Sequence, residues 1–323
     1  MTIGDAINSF LDDPDQTTCG LCLYSSAKMY LHWEWKRDSF ETSLQWKLYK
    51  QAHFDDLKMP TYKVERWHWG QSASVMRWII CFVFFISAWQ AGLLLFFMST
   101  GNTKVKITVD APVGQHLLPF HLPLFAAAVL SNLPQLLISY VYITFNALFT
   151  CMLAGREWMQ FAAQRKPLRV TSPVGQQRST YWLQLPYHYS LPLLALSSVL
   201  SWLASQSLFV VRVAVRDERG LLPPGSTIST CGYSPGAIAI TMIVGGVIAL
   251  VTIATGLRRY PAGMPLSGTC SGAISAACHP PADDVDAAVL PLQWGVVSTQ
   301  DGVGHCSFSS RLVAPPIPGQ RYD

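Results

Sequence analysis

Four stretches of the chain are apolar over lengths that suit a membrane-crossing helix. Residues 75–98, VMRWIICFVFFISAWQAGLLLFFM, form the clearest one, with Arg77 and Trp78 at its start. About 20 consecutive apolar residues cross a hydrocarbon layer, and an arginine at the boundary can extend its side chain to the headgroups. A second tract, 122–154, is interrupted by Asn132, Pro134 and Gln135. It cannot hold two crossings, so it reads as one helix kinked at the proline, with 130–154 as its membrane part. Residues 191–211 and 237–257 follow, neither containing an ionisable side chain. The pattern therefore predicts an all-α membrane protein, a bundle of about four transmembrane helices at 75–98, 130–154, 191–211 and 237–257.

Polar sequence flanks and separates these runs. Residues 1–74 form one such region. In it, Thr2–Leu11 places Ile3, Ala6, Ile7, Phe10 and Leu11 on one helical face. Thr2 and Asp5 stand at capping-box spacing there. With acids and no basic face, this helix is expected to pack on protein rather than lie on lipid. Trp33, Trp35, Trp46, Trp67 and Trp69 make the following stretch too aromatic for a disordered tail. Between the first two apolar runs, KVKITVD (104–110) alternates like a short strand. The tail, 258–323, is rich in Pro, Gly and Ser; it reads as loop with one candidate strand, LPLQWGVVS at 290–298.

Composition supports the membrane reading. Only 13% of residues are charged and 50% are hydrophobic, against roughly 25% charged in an ordinary globular chain. A net charge of +4 spread along the sequence excludes a nucleic-acid footprint. Several of the eleven tryptophans border the apolar runs, where interfacial aromatic belts occur. The first residues carry Asp5, Asp12, Asp13 and Asp15 and no apolar run, so insertion is expected to depend on the first membrane helix.

Basic residues near the helix ends set the predicted orientation. One side holds ten: Lys58, Lys63, Arg66, Arg156, Arg165, Lys166, Arg169, Arg178, Arg258 and Arg259. The other holds five: Lys104, Lys106, Arg212, Arg216 and Arg219. The positive-inside rule places the ten, and with them both termini, in the cytosol. The loop carrying Arg156, Arg165, Lys166, Arg169 and Arg178 against the single acid Glu157 is then available to anionic lipid headgroups or a cytosolic protein.

Candidate chemistry is sparse. On the last apolar run Thr241, Gly245, Ala249, Thr252 and Gly256 share a small-residue face, suited to packing against another helix of the chain or to forming an oligomer. Asn132, Gln135 and Asn146 on the second run and Gln206 on the third need partners in hydrocarbon. Bonds between helices are the simpler use; a solute path is the alternative, weakened by the lack of any mid-span charge. Cys19 and Cys22 form a C-x-x-C pair, and Cys270, Cys278, His279, His305 and Cys306 lie on the same predicted side. A zinc clip between the N-terminal region and the tail is one reading. A single pair without a second favours unligated cytosolic thiols, and no cofactor is implied. Thr171, Ser172 and Pro173 beside Arg169 match a proline-directed phosphorylation site. Nucleophile elbows, phosphate loops and zinc-protease motifs do not occur, and His188 between Tyr187 and Tyr189 reads as an interfacial anchor.

Longer strings carry a resemblance. TIGDAINSFLDDPD, NLPQLLISYVYITFNALFTCMLAGREW, LRVTSPVGQQRSTYWLQLPYHYSLPL, SQSLF, CGYSPGAIAIT, RRYPAGMPL, ISAACHPPADD and GHCSFSS are similar to a family of fungal multi-pass membrane proteins defined as a domain of unknown function. Members of that family extend further upstream with more apolar sequence. The resemblance thus implies a shortened form lacking at least one membrane helix, and it implies no reaction or catalytic residues. The functional expectation is a non-enzymatic membrane component that docks lipid or protein through its basic loop and Cys/His tail. The alternatives are a transporter on the polar faces of the second and third helices and, behind it, an enzyme using cytosolic Cys or His.

Overall fold

The computed structural model describes residues 2–30, 60–100, 117, 123–183, 185–214, 227–261, 263–300 and 302–323. The candidate strand at 104–110, together with Trp33, Trp35, Trp46, Lys58, Lys104, Lys106, Arg216 and Arg219, lies outside them.

Helices dominate: α1 (Ile3–Asp12), α2 (Val75–Thr100), α3 (Leu124–Ala163), α4 (Tyr187–Ser207), α5 (Pro235–Gly256) and α6 (Ser271–Ala276). Three of them, α2, α3 and α5, are long and apolar enough to cross a membrane. The second apolar run extends well beyond 130–154, into a 40-residue helix that continues through Pro134.

The all-α expectation is corrected by three two-stranded sheets. β1 (Arg169–Val170) pairs in parallel with β2 (Arg178–Ser179) inside the basic loop. β3 (Leu208–Ala214) pairs with β4 (Thr227–Tyr233), so the run 191–211 is not one helix. Helix α4 stops at Ser207, and Phe209, Val210, Val211 and Val213 continue as strand. β-Branched and aromatic side chains favour that pleated state once a partner strand is present. The tail contains a hairpin of β5 (Gln293–Gln300) and β6 (Val303–Ser309), with a bulge between Val296 and Ser298 and Gly302 at φ +80° between the strands. The candidate strand at 290–298 is therefore real, but its partner lies in sequence that reads as loop.

Two compact units emerge. The first comprises Met1–Ala73, Thr150–Leu185 and Thr255–Asp323; the second comprises Ser74–Phe149 and Pro186–Ala254. In the first, Phe308 meets Trp158 and Phe161 edge-on, each at 5.3 Å between ring centres. Trp158 donates its indole N–H to the Pro265 carbonyl at 2.9 Å. Ile7, Met159, Leu168, Leu292 and Trp294 are buried in the same unit. The predicted capping box of α1 forms between Thr2 and Asp5, and α1 buries Gly4, Ile7 and Leu11 against protein.

In the second unit, α2 meets α5 through small residues. Trp89 donates to the Met242 carbonyl at 3.3 Å. Gly92 faces Met242, and Gly245 faces Phe85. Ala249 and Thr252 are buried. Phe84 stacks on Tyr140 of α3 at 5.6 Å, and Phe85 meets Phe145 edge-on at 6.2 Å. At the other end of this unit the β3–β4 pair, Ala127 and Ile238 share one apolar cluster. Much apolar surface stays uncovered: only 6% of the α2 apolar window is buried, with Val75, Ile79, Val83, Ile86 and Leu94 exposed.

Candidate functional site

The basic loop is tied into the first unit by several hydrogen bonds. Thr2 donates its hydroxyl to the Arg169 carbonyl at 2.8 Å. Thr171 donates its N–H and its hydroxyl to the two Asp5 oxygens at 2.6 and 2.7 Å. Lys166 and Leu292 exchange backbone hydrogen bonds, both at 2.9 Å, and Gln176 donates to the Val289 carbonyl at 3.0 Å. The side-chain amide of Gln177 reaches Asn8 and the Ala288 carbonyl. Helix α1, the loop and the tail are one polar fabric.

Its cations are largely occupied. Arg165 donates to the carbonyls of Ser310 and Arg311. Lys166 donates to the Glu157 carbonyl at 2.8 Å and to Gln160 at 3.0 Å, and lies 4.4 Å from the Phe161 ring centre. Burial lowers the Lys166 ammonium to about 8; the Glu157 charge opposes this, and Arg169, Arg156 and Arg178 reinforce it. Arg169 pairs with Glu157 at 3.8 Å and stacks over Tyr181 at 4.0 Å. Arg178 is exposed on β2.

Arg156, expected in the loop, lies instead on α3, and it and Arg258 have a different setting. Trp69, buried, carries Arg156 at 5.5 Å and Arg258 at 5.9 Å from its ring centre. Tyr260 stacks on the same ring at 5.7 Å, with planes 12° apart. The Tyr260 hydroxyl donates to the Met152 carbonyl at 2.7 Å and lies 2.7 Å from the Ser72 hydroxyl. Burial pushes this phenol above its ordinary range. Backbone bonds from Trp69 to Arg258 and from Tyr260 to Trp67 lock the strip Trp67–Trp69 against Arg258–Tyr260. Composition signalled the tryptophans; nothing in the linear pattern paired Arg156 with Arg258.

The tail thiols and imidazoles partly converge. Cys22 hydrogen-bonds Cys306, and both are buried, as is Cys278; Cys19 is exposed and Cys270 half-buried. His279 and His305 stand 6.3 Å apart. His305 places Nδ1 2.7 Å from an Asp323 oxygen and Nε2 3.2 Å from the His279 carbonyl; His279 Nε2 lies 3.1 Å from the Asp15 carbonyl. Among the described residues no three His, Cys, Asp or Glu side chains are grouped to hold a metal. Backbone oxygens face His279 Nε2 and both ring nitrogens of His305. Asp284, also buried, accepts from Ser309 at 2.6 Å and from Ser310. Burial raises this carboxyl, and those serine donors outweigh it and hold it below its ordinary value. A cavity lined by Lys28, Tyr62, Lys63, Glu65 and Trp67 encloses about 20 Å³, room for one water.

Polar side chains of the apolar helices mostly bond within their own helix. Asn132 donates to the Ala128 carbonyl at 2.8 Å, Ser139 to Gln135 at 2.9 Å and Thr252 to Ile248 at 2.9 Å. Gln135 and Gln206 are exposed, and Asn146 is half-buried. Of the small-residue face on α5, Thr241 also meets Ser207 of α4 at 3.4 Å, and Gly256 is buried.

These features define a helical protein with three membrane-length apolar helices and a polar, cross-stitched unit assembled from three separate parts of the chain. The chain belongs to the family described as domain of unknown function DUF8419, which it matches over residues 2–314. No curated protein and no solved structure matches it.

Proposed function

We propose that this is a polytopic membrane protein with four crossings, acting as a non-enzymatic structural or interaction component. The observation that carries the reading is the make-up of the first unit. Its three parts, Met1–Ala73, Thr150–Leu185 and Thr255–Asp323, fold together. In a membrane they must share one side, so each intervening segment leaves and returns. Segment 74–149 does so with α2 and α3. Segment 186–254 has α5 for one crossing, so α4 makes the other, despite six serines, Gln206 and Pro192 in its 21 residues. Serine back-bonding to helix carbonyls, as from Ser198 to Leu194 at 3.0 Å, lowers the cost of placing hydroxyls in lipid. Exposed apolar side chains on α2 and α5 need a lipid solvent for the same reason that soluble proteins bury them.

The excess of basic residues assigns the first unit and both termini to the cytosol. There the hydrogen-bonded assembly of α1, basic loop and tail forms a shaped surface beside the bilayer, suited to holding a lipid surface or a protein partner. Its side chains are spent on cohesion, which favours a docking role over bond-making chemistry.

Alkaline extraction combined with cysteine mapping tests the topology. In intact cells an impermeant maleimide leaves exposed Cys19 unlabelled and labels an Arg219→Cys variant in a background with Cys19→Ser; permeabilisation exposes Cys19. Release into the alkaline supernatant, or labelling of Cys19 from outside, contradicts the reading.

A further inference from the structure

Two arginines from distant parts of the chain are gathered at one indole with no acid between them. Arg156 and Arg258 both lie within 6 Å of the Trp69 ring centre. Among the described residues no carboxylate pairs with either. Acids of the same unit have other partners: Glu157 has Arg169 at 3.8 Å, Glu65 has Lys28 at 3.9 Å, Asp5 has Thr171 and Asp283 has Arg311. A cation–π contact leaves a guanidinium's charge uncompensated. A shared anion would compensate both. Guanidinium groups are planar donors matched to phosphate oxygens.

Chain position says which phosphate. Trp69 precedes the start of α2 at Val75, Arg258 follows the end of α5 at Gly256, and Arg156 follows the apolar part of α3. All three contributors therefore lie just beyond the apolar stretches of membrane-length helices, where indole rings and arginines meet headgroups. The backbone strip Trp67–Trp69 against Arg258–Tyr260, and the Tyr260–Met152 hydrogen bond, hold the three contributors in register. The loop cations Arg165, Lys166 and Arg169, by contrast, already have protein acceptors or partners.

We infer that Arg156 and Arg258, set at the Trp69 indole, form a binding site for the phosphate of an anionic glycerophospholipid. This rests on the membrane-spanning reading and relocates lipid recognition from the basic loop to the helix ends. The site takes one headgroup and orders it at the boundary where the chain enters and leaves the bilayer.

Native mass spectrometry of the full chain in detergent tests it, with phosphatidylglycerol and phosphatidylcholine as competing probes. The wild-type chain is expected to retain phosphatidylglycerol preferentially. Arg258→Gln, an exposed position, loses about fivefold, and Arg156→Gln with Arg258→Gln loses about thirtyfold, in line with a contribution near that of one basic residue each at an anionic surface. Arg178→Gln in the loop leaves retention unchanged. If the double variant does not fold, the fivefold loss in Arg258→Gln alone decides. Equal retention of the two lipids overturns the site, as does unchanged retention in Arg258→Gln. Loss with Arg178→Gln only also overturns it, and would leave loop docking standing. Displacement of phosphatidylglycerol by equimolar inorganic phosphate overturns the lipid assignment. Because the lipid readout is made in detergent, its failure is separate from a failure of the alkaline-extraction test.

Discussion

Asp5 accepts two hydrogen bonds from Thr171, from the backbone N–H at 2.6 Å and from the hydroxyl at 2.7 Å, joining the first helix to the basic loop across 166 positions of sequence. Burial of the Asp5 carboxyl raises its pKa, but the donors of Thr171 and Thr2 prevail and hold it below its ordinary value. A depressed carboxyl contributes stability that is complete above its unfolded value and is lost as pH falls through the lower folded one. Thermal unfolding followed from pH 5 downward is expected to show that loss, and Asp5→Asn to remove part of it. At neutral pH the same variant costs about 1–2 kcal/mol, because one accepting oxygen becomes an amide NH2 donor and the bonds kept by the other lose their charge assistance. Thr171→Glu sets a second carboxylate against Asp5 and lowers the melting temperature further. Phosphorylation of Thr171 would act as a release of α1 from the loop.

Lys166 behaves in the opposite sense. Its ammonium titrates near 8 in the folded chain against 10.5 unfolded. Between those values the unfolded chain binds a proton that the native chain lacks, so this group makes stability rise with pH from about 8 to 10.5. Denaturation midpoints measured across that window are expected to climb in the wild-type chain. Lys166→Met flattens the climb.

Gly4 touches the basic loop through its missing side chain. A Cβ there would lie 2.1 Å from the Arg169 carbonyl oxygen. That oxygen also accepts from Thr2 and belongs to β1, so it cannot retreat cheaply. Overpacking of this kind costs about 1–3 kcal/mol, against a helix-propensity gain near 1 kcal/mol. Gly4→Ala is therefore expected to destabilise the chain in calorimetry, and an unchanged melting temperature would refute the contact.

Tyr260→Phe leaves the ring stacked on Trp69 and removes only the hydroxyl. The Met152 carbonyl and the Ser72 hydroxyl then lose a buried partner. The expected cost is about 1–3 kcal/mol, read as a lower melting temperature in detergent. Gly155→Ala disturbs the same place more severely, since its Cβ would fall 2.1 Å from Ser72 Oγ and 2.7 Å from the Tyr260 hydroxyl.

Much of this organisation is legible in the residues alone. Apolar runs of about 20 residues reveal α2 and α5, because lipid demands them locally. The Thr2–Asp5 box and the 3.6-residue period reveal α1 for the same local reason. The small-residue face of α5 was visible too; its partners Phe85 and Ser207 were not. At 208–214 the local signal fails. The apolar text continues, yet it becomes a strand because Thr227–Tyr233 is there to pair with it.

The amino-acid sequence by itself determined the apolar helices, read within a few turns of chain, and membership of DUF8419, read along nearly all of it. Tertiary structure alone decided which polar groups meet. It brought 1–73, 150–185 and 255–323 into one unit, spent Arg165, Lys166 and Arg169 on protein acceptors, and set Arg156 and Arg258 at Trp69 with no carboxylate partner among the described residues. Such contacts act over a few ångströms, and some of them link residues more than a hundred positions apart, as Arg165 with Ser310 and Arg258 with Trp69, so only the folded chain reveals them.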